Sequence, residues 1–182
     1  VIRPADANET AQAWAAALEY KAAPKGLALS RQNLPVLEGT KEKAAEGVRR
    51  GAYVLVEASK ETPDVILLAT GSEVQLAVEA AKQLEAEGTA TRVVSAPCLE
   101  WFDEQDASYR ESVLPSSVRA RVSVEAGISM PWHKYTGSFG RTVSLEHFGA
   151  SAPAAELFER LGFTADAVAD AARESLNAAQ AS

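Results

Sequence analysis

The sequence predicts an α/β fold, an open and mostly parallel twisted sheet with helices on both faces, preceded by a further helix and strand. Short apolar runs alternate with helical stretches: 65–69 reads as a buried strand and 73–87 as an amphipathic helix. Glycine or proline separates most of these segments. Because strands that alternate with helices are usually connected by crossovers, this order favours parallel pairing with helices on both faces.

The start of the chain predicts one helix and one strand. An alanine-rich helix should begin after Asp6 or Asn8, whose side chains can cap free backbone N–H groups. Trp14 and Leu18 recur at helical spacing and should form its apolar face. The residues 26–30 then form a short apolar stretch, which we interpret as a strand that ends at an arginine.

The later elements follow from apolar periodicity and from the glycines and prolines between them. Strands are expected at 53–56, 65–69, 91–95, 118–124 and 142–145. Helices are expected at 40–48, 73–87, 103–113, 153–160 and 165–176, with a long loop at 129–140 and a frayed tail at 177–182. We call residues 1–39 the first segment. Because 64–176 contains its own strands and helices, we expect it to fold without that segment.

Composition excludes several classes of function. The 182 residues carry a net charge of −7, which disfavours nonspecific nucleic-acid binding and repels anionic metabolites at long range. No apolar run reaches the ~18 residues needed to span a bilayer, so no membrane partner is expected. A single cysteine, Cys98, rules out an intrachain disulfide and favours a reducing, cytoplasmic location.

Arg31 is the strongest candidate for a binding residue. A guanidinium offers a planar fork that matches two phosphate oxygens, and a strand end would point it into a crevice. The alternative is an arginine in a structural salt bridge. The choice between these two roles is left open by spacing alone.

The other candidate sites have simpler structural interpretations. The turns at 70–72 and 149–153 each precede a helix, but they lack the glycine pattern or lysine of a phosphate-binding loop, and Ser72 suits a helix cap. His133 and His147 have no partner at a metal-ligand spacing. Cys98 is more typical of a buried apolar side chain than of a nucleophile. We therefore predict no catalytic, cofactor-binding or metal-binding residue in this chain.

Two uncommon strings, IRPADANE at 2–9 and LSRQNLP at 29–35, occur in an order and spacing that resemble the late part of the pyrimidine-binding domain of transketolase. The strings ATGSEV, VEAG, WHKY and FGASAP, at 69–74, 124–127, 132–135 and 148–153, resemble its C-terminal domain. The resemblance covers the whole chain. It implies that 1–40 is the end of an incomplete pyrimidine-binding domain and that 41–182 is the C-terminal domain.

The resemblance also implies a function. A transketolase transfers a two-carbon ketol unit from a ketose phosphate to an aldose phosphate in the pentose phosphate pathway. It works as a homodimer with thiamine diphosphate and Mg²⁺ (or Ca²⁺). In this family the arginine that matches Arg31 binds the phosphate of the sugar substrate. The cofactor and catalytic groups belong to an N-terminal part that precedes this chain, so the chain alone should bind no cofactor and should be inactive.

Two alternatives remain open. One is a different thiamine-dependent enzyme with the same domain architecture, such as a deoxyxylulose-phosphate synthase or a dehydrogenase E1 component. The strings at 2–9 and 29–35 favour transketolase over these. The other is a noncatalytic assembly domain, which a cofactor titration of the chain would distinguish from an enzyme.

Overall fold

The computed structural model describes residues 1–181, in which five strands form one sheet. The strands are β1 (Tyr53–Val56), β2 (Val65–Ala69), β3 (Thr91–Ser95), β4 (Arg121–Val124) and β5 (Arg141–Val143). They lie in the order β1-β3-β2-β4-β5, with β1 antiparallel to β3 and all other neighbours parallel. The predicted mostly parallel α/β sheet is therefore confirmed, and its strand order reverses beside β2.

Eight α-helices accompany the sheet within the described residues. They are α1 (Ala7–Glu19), α2 (Thr40–Arg50), α3 (Val74–Ala86), α4 (Leu99–Asp103), α5 (Ala107–Val113), α6 (His133–Thr136), α7 (Ala154–Arg160) and α8 (Ala165–Gln180). Single 3₁₀ turns precede α3 and α6, at Gly71–Glu73 and Met130–Trp132. No helix in residues 1–181 is long and apolar enough to cross a membrane.

The two faces of the sheet bury separate apolar cores. Along β2, Val65 and Leu67 pack in one core with α3 and α8, whereas Ile66 and Leu68 pack in the other with α4, α5 and α6. This alternation follows from the two-residue period of a strand. Helices therefore cover both faces, as the sequence predicted.

The predicted apolar face of α1 is wrong. Its buried residues are Glu9, Ala13 and Ala16, whereas Trp14 and Leu18 are 53% and 74% exposed. The small alanines allow α1 to pack closely on α2, and Glu9 finds polar partners at the sheet. The larger side chains consequently lie on the outer surface.

The predicted strand at 26–30 is also not formed. Leu27 pairs only with Ile2, in an isolated parallel bridge, and the rest of this stretch has no regular structure. A strand needs a neighbour along its length to satisfy its backbone groups. Residues 1–181 provide such a neighbour at one position only.

Three helix boundaries also differ from the prediction. The expected helix at 103–113 begins only at Ala107, as α5, and it is preceded by α4, which the sequence did not predict; the expected loop at 129–140 contains α6. The expected frayed tail is helical as far as Gln180, because Ala179 packs against the core. The final predicted tail position, 182, lies outside the described residues.

The first segment is packed onto the rest of the chain. Ile2, Ala13 and Ala16 share a buried cluster with Val48 of α2 and Trp101 of α4. These contacts argue against the expectation that 64–176 folds without the first segment, because removing that segment would expose this cluster to water.

Candidate functional site

Arg31 lies on the surface, in the irregular stretch that follows the bridge between Ile2 and Leu27. The Ile2 N–H donates to the Gly26 carbonyl over 2.8 Å, and the Ala28 N–H donates to the Ile2 carbonyl over 2.9 Å. These bonds hold the start of the stretch. Within the described residues, the Arg31 side chain forms no hydrogen bond or ion pair. Its guanidinium therefore has donors available for a ligand, and its phosphate role stays a prediction.

Asp6 begins α1 as predicted. One carboxylate oxygen accepts from the Glu9 N–H at 2.9 Å, which is the expected cap. The other oxygen accepts from the Thr40 hydroxyl at 2.6 Å and from the Leu37 N–H at 2.9 Å. Asn8, the alternative cap, lies within the helix and donates to Thr40 instead. Asp6 thus joins the start of α1 to the start of α2.

Glu9 is a fully buried carboxylate between α1 and the sheet. It accepts hydrogen bonds from the Tyr53 hydroxyl at 2.8 Å, from the Ser95 hydroxyl at 2.6 Å and from the Ala5 N–H at 2.7 Å. Burial raises the pKa of Glu9 above its usual value, and the three hydrogen bonds oppose this shift. No cation is among these partners.

A second polar cluster, partly buried, lies where β2 and β4 end. The Arg3 guanidinium donates from Nη2 to Glu73 Oε2 at 3.1 Å and from Nη1 to Glu125 Oε1. Glu73 also accepts from the Ala126 N–H at 3.0 Å, and Trp132 Nε1 donates to Glu125 Oε2 at 2.6 Å. We call Arg3, Glu73, Glu125 and Trp132 the Arg3 cluster.

The predicted turn at 70–72 forms one wall of this cluster. Gly71 has φ +59°, a left-handed conformation that favours glycine, and its N–H donates to the Arg3 carbonyl at 3.0 Å. Ser72 does not cap the following helix, because its hydroxyl donates to the Glu73 carboxylate. The turn therefore binds a residue of the same chain, and the prediction of Ser72 as a cap is wrong.

The remaining candidates are Cys98, the two histidines and the turn at 149–153. Cys98 is buried, and desolvation raises its thiol pKa to about 11, so it is neutral at physiological pH. His133 and His147 are both exposed. Among residues 1–181, no three His, Cys, Asp or Glu side chains are grouped so as to hold a metal ion. The turn at 149–153 is exposed and leads into α7 without a side-chain cap.

Sequence reasoning missed the burial of Glu9 and the whole Arg3 cluster. The spacing of Asp6 and Glu9 fits a capping box, in which an acidic side chain reaches back toward the start of its helix. That pattern predicts that Glu9 folds back toward the N–H of Asp6, and the structure shows the bond one residue earlier, at Ala5. Nothing comparable indicates that Arg3 meets Glu125, because 122 residues separate them along the chain.

Comparisons with known proteins agree with this fold. The profile of the Transketolase-like TK C-terminal domain matches residues 51–164. The transketolase of Mycobacterium leprae is 54% identical over 182 residues, which cover 97% of this chain and 26% of that protein. A transketolase of Staphylococcus aureus is 53% identical over 164 residues, which cover 90% of this chain and 25% of that protein. The chain therefore spans about a quarter of the length of these relatives.

Solved structures give the same result. Transketolase from Leishmania mexicana aligns with a TM-score of 0.88 and 45% identity, over 97% of this chain and 25% of that chain. Transketolase from Pichia stipitis in complex with sedoheptulose-7-phosphate aligns with a TM-score of 0.88 and 41% identity, over 99% of this chain and 25% of that chain. A split-gene transketolase, solved as an inactive beta4 tetramer, aligns with a TM-score of 0.70 and 27% identity, over 97% of this chain and 56% of that chain.

The fold and the identity to these enzymes agree over 97% of the chain, and the matched profile covers residues 51–164. The chain belongs to the transketolase family, and residues 51–164 match its C-terminal domain.

Proposed function

We propose that the chain is the C-terminal quarter of a transketolase that transfers a two-carbon ketol unit from a ketose phosphate to an aldose phosphate in the pentose phosphate pathway. The observation that carries this proposal is the 54% identity to a transketolase over 97% of the chain. The relatives reported above are transketolases, which favours this reaction over that of a deoxyxylulose-phosphate synthase or a dehydrogenase E1 component.

In this enzyme Arg31 would bind the terminal phosphate of the sugar. Its exposed guanidinium, without a partner among the described residues, is consistent with that role. The support from a relative is the Pichia stipitis transketolase, which was solved with a sugar phosphate, sedoheptulose-7-phosphate. A phosphate contact remote from the reacting carbon supplies orientation, which lowers the entropic part of the barrier.

The cofactors of the proposed enzyme are thiamine diphosphate and Mg²⁺ or Ca²⁺. Thiamine diphosphate would supply the carbanion chemistry. The residues of this chain do not fit the cation, because the described part holds no group of three His, Cys, Asp or Glu side chains suited to a metal. The proposal therefore assigns cofactor binding to the missing N-terminal part of the enzyme.

We further propose that the intact enzyme is a cytoplasmic homodimer and that this chain alone is inactive. Support for inactivity comes from the split-gene transketolase, which was solved as an inactive beta4 tetramer and aligns over 56% of its length. That structure also favours the second candidate, in which the isolated chain serves only in assembly. Both proposals predict no turnover by the chain alone.

A chimera tests the function directly. We would replace the matching C-terminal quarter of the Mycobacterium leprae transketolase with this chain and measure ketol transfer in the presence of thiamine diphosphate and Mg²⁺. The chimera should be active, whereas the isolated chain under the same conditions should not exceed background. A folded, dimeric chimera that binds the cofactor but transfers no ketol unit would refute the proposal. So would turnover by the chain alone.

A further inference from the structure

The Arg3 cluster occupies the part of the sheet where open α/β proteins usually bind ligands. The chain passes from β2 to β3 on one side and then to β4 on the other, so the strand order reverses at β2. A crevice at the carboxyl ends of strands beside such a reversal is the general position of ligands in this fold class. Here the crevice holds a residue of the same chain, Arg3.

The backbone of Arg3, like its side chain, forms hydrogen bonds to the rest of the chain. Its N–H donates to the Pro97 carbonyl at 2.8 Å, and its carbonyl accepts from the Gly71 N–H at 3.0 Å and from the Thr70 hydroxyl at 3.2 Å. The first segment therefore crosses the ends of β2 and β3. The preceding residue, Ile2, forms the bridge to Leu27. The hydrogen bonds of Arg3 therefore also help to fix the start of the irregular stretch that contains Arg31.

The side-chain partners are arranged for a planar, forked cation. Glu73 is completely buried and Glu125 is 16% exposed, and one nitrogen of the guanidinium contacts each carboxylate. Other donors fix the orientation of both carboxylates, namely the Ser72 hydroxyl and the Ala126 N–H for Glu73 and the Trp132 indole for Glu125. An ammonium ion carries the same charge but lacks the fork that reaches two carboxylates at once.

Gly71 lies close to the guanidinium. A Cβ atom at this position would lie 3.3 Å from Arg3 Nη2, tighter than most contacts of that kind. Beside Arg3 an open hollow of about 410 Å³ extends past Thr70 and Pro97 toward Lys134 and Tyr135. Glu125 lines this hollow, so a small ion could reach the space left by the guanidinium from solvent if the Arg3 side chain were absent.

We propose that this crevice is a guanidinium-binding site that Arg3 fills in cis, and that filling it fastens the first segment to the C-terminal domain. The ligand class is a monosubstituted guanidinium ion. The proposal does not rest on the transketolase activity, and its test measures stability and binding rather than turnover.

The experiment replaces Arg3 in the whole chain and supplies the missing ion. The variant Arg3→Ala leaves two carboxylates without their cation, and its Tm should fall by about 5–10 °C, as expected for the loss of a charge-assisted contact in a domain of this size. Addition of ~10 mM methylguanidinium should restore a large part of that loss by binding to the folded state. The same concentration of methylammonium should restore little.

Three controls isolate the site. Wild type should not be stabilised by methylguanidinium, because Arg3 already occupies the crevice. The double variant Arg3→Ala/Glu125→Gln should lose the rescue. Arg49→Ala removes an exposed arginine that binds Glu19 with two contacts of 3.0 and 3.1 Å, and its stability should not respond to the ion.

A second measurement reports binding without relying on stability. The indole N–H of Trp132 donates to Glu125, so its ¹⁵N–¹H resonance should shift when methylguanidinium binds to the Arg3→Ala chain. If Arg3→Ala does not fold, Arg3→Lys keeps the charge and should show the same shift at higher ion concentration. Equal responses of wild type, Arg49→Ala and the Arg3 variants, or no shift of the Trp132 resonance, would overturn the proposal.

Discussion

Arg3 and Arg31 show how strongly the surroundings determine what one kind of side chain does. Arg3 lies between two carboxylates and fixes the path of the first segment. Arg31 lies on the surface without a partner among the described residues. A guanidinium with unused donors is suited to an external anion, whereas one that already binds two carboxylates is not.

The phosphate role of Arg31 predicts a selective loss in the intact enzyme. In the chimera, Arg31→Ala should lower kcat/KM for phosphorylated substrates about ten- to hundredfold, which corresponds to the ~1.5–3 kcal/mol of a charge-assisted contact. Most of the effect should appear in KM. Arg31→Lys should recover only part of the loss, because it keeps the charge without the fork.

The control for this prediction is a donor without a phosphate, which should be affected much less. Arg49→Ala, at another exposed arginine, should leave both substrates nearly unchanged. If Arg31→Ala reduced kcat/KM equally for phosphorylated and unphosphorylated substrates, the residue would have a structural role.

Glu9 predicts an unusual dependence of stability on pH. Its folded-state pKa is raised by burial, so the folded chain binds a proton more tightly than the unfolded chain does. The stability that this bound proton adds to the folded chain is fully present below the pKa of the unfolded chain, near 4.5. It is lost as pH rises through the higher pKa of the folded chain. The wild-type chain should therefore lose stability relative to Glu9→Gln as pH increases above about 4.5.

The measurement is the difference in free energy of unfolding between wild type and Glu9→Gln, from urea titrations at pH 5 to 8. Glu85→Gln is the matched control, because the pKa of Glu85 is lowered and the difference from wild type should therefore stay constant over this range. A constant difference between wild type and Glu9→Gln across this range would show that Glu9 has the same protonation state in both forms of the chain.

At the scale of elements, α1 is held by its small and polar residues. Ala13 and Ala16 are buried against α2, Asp6 binds Thr40, and Glu9 binds Tyr53 and Ser95. Few large apolar contacts are involved. The helix is fastened by directional hydrogen bonds between groups that would be left unpaired if it detached.

This arrangement predicts that the first segment is needed for stability. Deletion of residues 1–39 would leave the Tyr53 and Ser95 hydroxyls without Glu9, and it would leave Glu73 and Glu125 without Arg3. Unpaired buried polar groups cost about 1–3 kcal/mol each. We expect a much lower Tm or the loss of a cooperative transition, measured by circular dichroism. A truncated chain that melts as cooperatively as the full chain, at a similar temperature, would contradict the prediction.

At the scale of the molecule, large apolar side chains remain on the surface of the first segment. Trp14 and Leu18 project from α1, and Leu29 and Val36 lie in the irregular stretch near Arg31. Exposed apolar side chains of this size promote association when they are clustered.

We therefore predict that the isolated chain associates with itself through this surface. Light scattering should show a mass that grows with concentration, and the growth should be strongest near pH 5.0, where the net charge of −7 disappears. Trp14→Gln with Leu18→Gln should reduce it. Phe148, which is fully exposed and lies outside this segment, is the control. If Phe148→Gln abolished association and the double variant did not, the surface would be a different one.

The sequence by itself determined the fold class and the family. Periods of two and 3.6 residues are local properties, so β2, β3 and α3 could be predicted to within a residue or two. The strings at 2–9 and 29–35 indicated transketolase for the same reason, since each is read without knowledge of its neighbours in space. Capping of α1 by Asp6 is likewise local.

Only the tertiary structure decided what the first segment contacts. Whether Trp14 or Glu9 is buried depends on which surface faces α1, and a helical period alone cannot show this when alanines lie on every side. The strand predicted at 26–30 does not form, because strand pairing requires a neighbour and residues 1–181 provide one only at Ile2. The Arg3 cluster joins three regions that are distant in the sequence. Such contacts depend on strand order, which is a property of the whole sheet rather than of any one segment.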